Sequence, residues 1–159
     1  MKVSDFAYSV TTFLTSFLTG QQNASSNTIL AYRDTFKLLL RFSEKQKHLK
    51  VEALQLSKVD KHFIEDFLLW LETAQKSSIS TRNQRLAGIR SFFRYLQAES
   101  PELMLQCQQI LSIPVKKMTK QYINYLSIDA IKLIFSLPDV STNYGLRDLI
   151  MLCLLYDSG

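Results

Sequence analysis

The sequence predicts an all-α protein. Three observations carry that reading. Only 4 Gly and 3 Pro occur in 159 residues, too few turn formers for a loop-rich β fold. Apolar residues make up 47% of the chain, enough for a packed core and too many for a disordered one. They also recur at helical spacing, in successive stretches separated by short polar segments.

The first stretch runs from about Asp5 to Thr19, with Phe6, Val10, Phe13, Leu14 and Phe17 on one face. Gly20 ends it, and Gln21 to Ser26 form a polar loop. A second helix is expected over Asn27–Lys45, burying Ile29, Tyr32, Phe36, Leu39 and Leu40. Beside that apolar face, Arg33, Lys37 and Arg41 recur every fourth residue as a basic stripe. A third helix is expected over Val59–Gln75, capped by Asp60 or Ser57, with Phe63, Ile64, Phe67, Leu68 and Leu71 inward.

Ser80 is the expected cap of a fourth helix, which reaches about Ala98 and packs through Leu86, Ile89, Phe92, Phe93 and Leu96. At about 100° per residue, Gln84, Ala87, Gly88 and Ser91 fall on the opposite face, with Asn83, Arg90 and Arg94 at its margins. A face of small neutral residues with basic margins suits close approach to another surface. Gly88 costs about 1 kcal/mol of helix propensity relative to Ala, which fits a place where a side chain would collide. Pro101 after Ser100 starts a fifth helix that ends near Leu111.

Ser112 to Tyr125 are expected to be extended, a linker holding Lys116, Lys117 and Lys120. A new unit then opens at Leu126-Ser127, where Ser127 caps and Leu126 can staple to Ile131. Its last helix, about Gly145–Tyr156, carries an unbroken apolar run from Leu149 to Leu155. Such a helix belongs inside a core, and the residues after the linker are too few to bury it. The organisation expected is therefore a complete unit over 1–111, a linker over 112–125, and an incomplete unit over 126–159.

Several functional classes are excluded. Two cysteines, Cys107 and Cys153, do not make a disulfide framework, and both are expected as core thiols. No Cys/His cluster has metal-ligand spacing, so no metal or cofactor is expected. No apolar run approaches the ~18–20 residues that span a bilayer, and Met1 to Tyr8 lack a signal-peptide layout. A cytoplasmic protein without a membrane partner is the expectation.

The formal charge is +5, and its placement is informative. Residues 76–120 hold Lys76, Arg82, Arg85, Arg90, Arg94, Lys116, Lys117 and Lys120 against only Glu99 and Glu102, while the remainder is close to neutral. A localised basic patch favours a polyanionic partner.

Three blocks resemble the tyrosine site-specific recombinases, the phage integrase family. Thr28, Tyr32, Arg33, Leu39 and Phe42 resemble the second helix of that family's N-terminal core-binding domain. Ser80-Thr81-x-Asn83-x-Arg85-Leu86-x-x-Ile89-Arg90-x-Phe92-Phe93-x-Tyr95-Leu96 resembles its fourth helix. Leu126-Ser127, then Arg147-Asp148 leading to Leu152 and Leu154 through Gly159, resembles the opening of its catalytic domain. The resemblance implies a four-to-five-helix, SAM-like core-binding bundle, then a basic linker and two helices of an incomplete catalytic domain.

The resemblance also implies a chemistry: a tyrosine attacks a DNA phosphodiester to give a 3′-phosphotyrosine, with arginines, a lysine and histidine-type residues stabilising charge and moving protons. None of the 7 tyrosines matches the nucleophile's place, and the first catalytic arginine is expected just after Asp157-Ser158-Gly159. No catalytic residue is therefore assigned here. Whole members of the family self-associate on DNA as synaptic tetramers, and a dimer through an exposed 146–156 is a further expectation.

The residue types support duplex-DNA binding directly. An α-helix fits the major groove. The candidate DNA-binding residues are Arg33, Lys37 and Arg41 on the second helix, and Thr81, Arg82, Asn83, Gln84, Arg90, Ser91 and Arg94 on the fourth. Lys116, Lys117 and Lys120 join them on the linker. Arginines and lysines would neutralise phosphates, while Asn83, Gln84 and Ser91 could reach base edges. Arg82 and Arg85 lie nearer the apolar side, so Arg85 has an acid partner as an alternative. A non-enzymatic helical DNA-binding regulator and a helical protein-interaction module remain alternative readings.

Overall fold

A computed structural model of the chain describes residues 5–118 and 125–158. Among the described residues the regular structure is entirely helical. The chain divides into two compact units, with the division after Met118.

The first unit begins with α1, Asp5–Thr12. Where one helix was expected to reach Thr19, the chain widens at Phe13 into a nine-residue π-helix, Phe13–Gln21. The five-residue step of a π-helix brings Phe13 and Leu18 inward together, both fully buried. Helix α2 spans Ser26–Lys47, capped by Ser25, whose side chain accepts from the Thr28 amide. Helix α3 spans Lys61–Thr73, and the Asp60 carboxylate accepts from the Phe63 amide at 2.8 Å. Of the two caps the sequence allowed, Asp60 is the one used.

Helix α4 spans Ile79–Glu99. Its cap is Ser78, not Ser80: the Ser78 hydroxyl accepts from the Thr81 amide at 3.2 Å. Pro101 opens a single 3-10 turn, Pro101–Leu103, and α5 proper spans Met104–Leu111.

Packing follows the apolar stripes. Phe92 of α4 lies among Phe36 of α2 at 5.1 Å, Phe13 at 5.4 Å and Phe6 at 5.9 Å, all edge-to-face. Each such pair adds roughly 0.5–1.5 kcal/mol beyond simple burial. A second aromatic cluster, Phe42 with Phe63, Phe67 and Trp70, joins α2 to α3. Gln106 of α5 donates to the carbonyls of Leu56 and Val59 at 2.7 and 2.9 Å, fastening α5 to the loop before α3. Cys107 is a buried core thiol, as expected, and burial raises its pKa.

In the second unit, α6 spans Ile128–Ser136 and α7 spans Asn143–Ser158. Ser127 caps α6 by accepting from the Ala130 amide at 3.2 Å. The helix α7 continues through Asp157 to Ser158. Gly145 is buried at its start, where a Cβ would sit 2.0 Å from the Asp139 carbonyl oxygen. Only glycine permits that approach.

The apolar run of α7 is left largely exposed, as the short stretch after the linker leads one to expect. Leu154 and Leu155 are 64% and 67% exposed, and Cys153 is exposed where a core thiol was expected. Within this unit α7 packs against α6, through contacts such as Phe135 with Tyr156. Among the described residues no helix is long and apolar enough to cross a membrane, and no group of three His, Cys, Asp or Glu is placed to hold a metal ion.

Candidate nucleic-acid interface

The outward strip of α4 consists of Ser80, Gln84, Ala87, Ser91, Arg94 and Ala98, spaced alternately by four and three residues. Gly88 does not belong to it. Gly88 is buried, and a Cβ there would meet the Tyr32 ring at 3.0 Å and the Thr35 hydroxyl at 3.5 Å. The collision that its small size avoids is with α2, inside the domain. α2 and α4 approach closely at this point, and Arg85 reinforces the contact. Its guanidinium donates to the Ala31 carbonyl at 2.9 Å and the Thr35 hydroxyl at 3.3 Å. Arg85 thus bonds helix α2, with no acid partner among the described residues.

The basic residues of α4 divide into two groups. Arg82 is only 6% exposed and lies 3.5 Å from the Glu72 carboxylate of α3. Burial lowers its pKa, opposed by Glu72 and assisted by Arg90. Its guanidinium also donates to the Pro114 carbonyl at 3.2 Å and the Asn83 side-chain oxygen at 3.1 Å. The Asn83 side chain pairs twice with the Lys116 backbone, donating to its carbonyl at 2.8 Å and accepting from its amide at 3.2 Å. Arg90 donates to the carbonyls of Leu111 and Ile113 at 2.8 and 2.7 Å.

Together Arg82, Asn83 and Arg90 strap the segment after α5 along α4. The Lys116 ammonium meets Glu72 at 2.6 Å. Glu72 lies just outside the stretch whose charge looked unopposed, and it offsets both Arg82 and Lys116.

Arg94 belongs to the second group. It is exposed and makes no ion pair among the described residues. Gln84 is exposed, Ser91 is partly exposed, and Thr81 is half-buried with its hydroxyl 3.0 Å from that of Ser78. On α2, Arg33, Lys37 and Arg41 are exposed, and Lys37 is 3.9 Å from Asp34, an interaction worth little at such exposure. Lys117 is exposed, and Lys120 lies outside the described residues.

A cavity of about 370 Å³ borders the outward strip of α4, lined by Gln22, Tyr32, Asn83, Ala87, Arg90, Ser91, Arg94 and Val115. The structure therefore brings Asn83, Arg90, Ser91 and Arg94 together. Arg33, Lys37 and Arg41 of α2 are not among the residues that line that cavity. Gln22, Val115 and Glu72 carried no signal in the sequence: each matters only through what the fold places beside it.

The first unit is thus a helical bundle whose α4 presents one slim, carboxylate-free outer strip ending in the exposed Arg94. Comparison with known proteins makes this specific. The profile of the phage integrase N-terminal SAM-like domain matches residues 12–100, and the chain belongs to this family of tyrosine recombinases. It is 38% identical over 147 residues to y4rC of Sinorhizobium fredii (strain NBRC 101917 / NGR234), which is described as an integrase/recombinase, covering 92% of this chain and 44% of that protein.

It is 30% identical over 145 residues to tyrosine recombinase XerC of Syntrophus aciditrophicus, covering 87% and 44% respectively. It is 28% identical over 143 residues to tyrosine recombinase XerD of Listeria monocytogenes serotype 4b, covering 90% and 46%. The chain thus spans about half the length of the curated relatives it matches. No solved structure matches it.

Proposed function

We propose that residues 1–111 form the duplex-DNA-binding domain of a site-specific recombinase or integrase, 112–125 its basic linker, and 126–159 the start of its catalytic domain. The whole enzyme would cut and rejoin DNA through a 3′-phosphotyrosine, acting as a synaptic tetramer. The tyrosine and its arginine partners would lie outside this chain, so the chain alone binds DNA without cutting it.

One observation carries the reading. The outward strip of α4 pairs exposed Gln84 and partly exposed Ser91 with Arg94, which has no ion pair among the described residues, and no carboxylate interrupts it. Such a helix face fits a major groove, with Gln84 and Thr81 toward the base edges. The exposed Arg33, Lys37 and Arg41 of α2, with Lys117, would meet the flanking backbone. Arg82, Asn83 and Lys116 serve by holding the strap that shapes this face.

The same reading assigns the apolar face of α7 to packing within the catalytic domain. In the isolated chain, 146–156 would instead pair two copies.

A salt titration of duplex binding tests the proposal. The logarithm of affinity should fall with the logarithm of salt by about 0.9 per phosphate contacted, and Arg94→Glu should weaken binding and flatten the slope. Binding that ignores salt, or ignores Arg94→Glu, would overturn it in favour of a protein partner.

A further inference from the structure

The cavity beside α4 differs in shape from the strip it borders. Its walls come from four places: Gln22 after the π-helix, Tyr32 of α2, Val115 of the strap, and Asn83, Ala87, Arg90, Ser91 and Arg94 of α4. Its volume, about 370 Å³, is at the small end of the ~300–1,000 Å³ typical of ligand sites. Two guanidiniums, the hydroxyl-bearing Tyr32 and Ser91 and the amides Gln22 and Asn83 line it, and no carboxylate does. Asn83 is already committed to the Lys116 backbone. Arg90 is held in place by two carbonyls, and its buried Nε has no hydrogen-bond partner among the described residues. Its charge is therefore fixed at the cavity wall, while Arg94 lines the cavity as an exposed side chain with no ion pair among the described residues.

Concavity decides what can enter. Base edges lie at the floor of a groove and are read by side chains that protrude. A recess cannot reach them, but it can receive a phosphate, which projects from the duplex surface. We infer that this cavity seats one phosphodiester group of the bound DNA, gripped by Arg94, Ser91 and Gln22 against the fixed charge of Arg90. This rests on the DNA-binding reading above and divides the labour of α4. Ser91 and Arg94 set register on a single phosphate, and sequence reading falls to residues outside the recess, such as Gln84.

The test uses the full chain and a duplex carrying one neutral methylphosphonate, moved along each strand in turn. With wild-type protein, one position should weaken binding about eightfold at 0.1 M salt, the loss of a single contact with slope ~0.9. In Arg94→Ala that position should lose its effect, while every other phosphate position keeps its own. Gln22→Ala should reduce the effect at that same position.

Several results would overturn the inference. One is that Arg94→Ala weakens all positions equally; another is that its cost changes with base sequence, which marks base reading. A third is that inorganic phosphate displaces the duplex more than chloride at equal ionic strength, which marks a seat for the free anion. Wild-type binding that follows salt but shows no such position would defeat this inference alone. Wild-type protein that does not bind duplex would defeat the DNA-binding reading with it.

Discussion

Arg90 and Arg94 occupy similar margins of α4 in the sequence, yet the structure gives them opposite thermodynamic roles. Arg90→Ala removes the donors to the Leu111 and Ile113 carbonyls at 2.8 and 2.7 Å. Hydrogen bonds to a charged group contribute about 1.5–3 kcal/mol each, and a cation at a helix C-terminus, here that of α5, adds about 0.3–1 kcal/mol. Both bonds come from one nitrogen, so they are not additive. The expected loss is on the order of 2–4 kcal/mol. Arg94→Ala removes an exposed side chain with no ion pair among the described residues, and should stay within about 0.5 kcal/mol of wild type.

Trp70 is the chain's single tryptophan and lies buried in the first unit, so its fluorescence in a urea titration reports that unit. With a slope of about 1–3 kcal/mol per molar urea, Arg90→Ala should lower the midpoint by roughly 1 M or more with the slope unchanged. A wild-type midpoint for Arg90→Ala, or an equal drop for Arg94→Ala, would refute the division between the two arginines.

Three other outcomes follow from the same packing. Glu72→Gln leaves Arg82 buried without its counter-charge and releases Lys116; a loss of about 1–3 kcal/mol is expected, measured by the same fluorescence titration. Thiol labelling of the native chain should modify Cys153 and spare Cys107 until the protein unfolds, because Cys107 is buried and its pKa is raised by that burial. Gly145→Ala places a Cβ 2.0 Å from the Asp139 carbonyl oxygen, so hydrogen exchange should quicken at the start of α7 while α1–α5 keep their protection.

The sequence made the helices legible because each buries one stripe, and stripe spacing is a local property. The outward strip of α4 was legible for the same reason: Gln84, Ala87, Ser91 and Arg94 follow from angle alone. What angle does not reveal is which margin of the strip another segment covers. Arg82, Asn83 and Arg90 face residues 111–116, and that segment read as a departing linker because Pro114 and the lysines carry no periodicity. Gly88 was misassigned to the outer face because a small residue signals close approach without saying to what, and here the neighbour is Tyr32. The exchange of α-helical for π-helical geometry at Phe13 left no mark in the apolar pattern, since Phe13, Phe17 and Leu18 suit either step. Glu72 gives no signal in the sequence because its partners, Arg82 and Lys116, come from elements remote in sequence.

The proposed function turns on the outward strip of α4 being the face that meets duplex DNA. Nuclear magnetic resonance of the isotope-labelled chain, with duplex added in steps, tests it most directly. The largest shifts should fall on the side chains of Gln84, Gln22 and Arg94 and the amide of Ser91. Gln46 and Thr73, which line the groove between α2 and α3, should not move. Shifts concentrated on that groove, or on α6 and α7, with the α4 strip unmoved, would contradict the account.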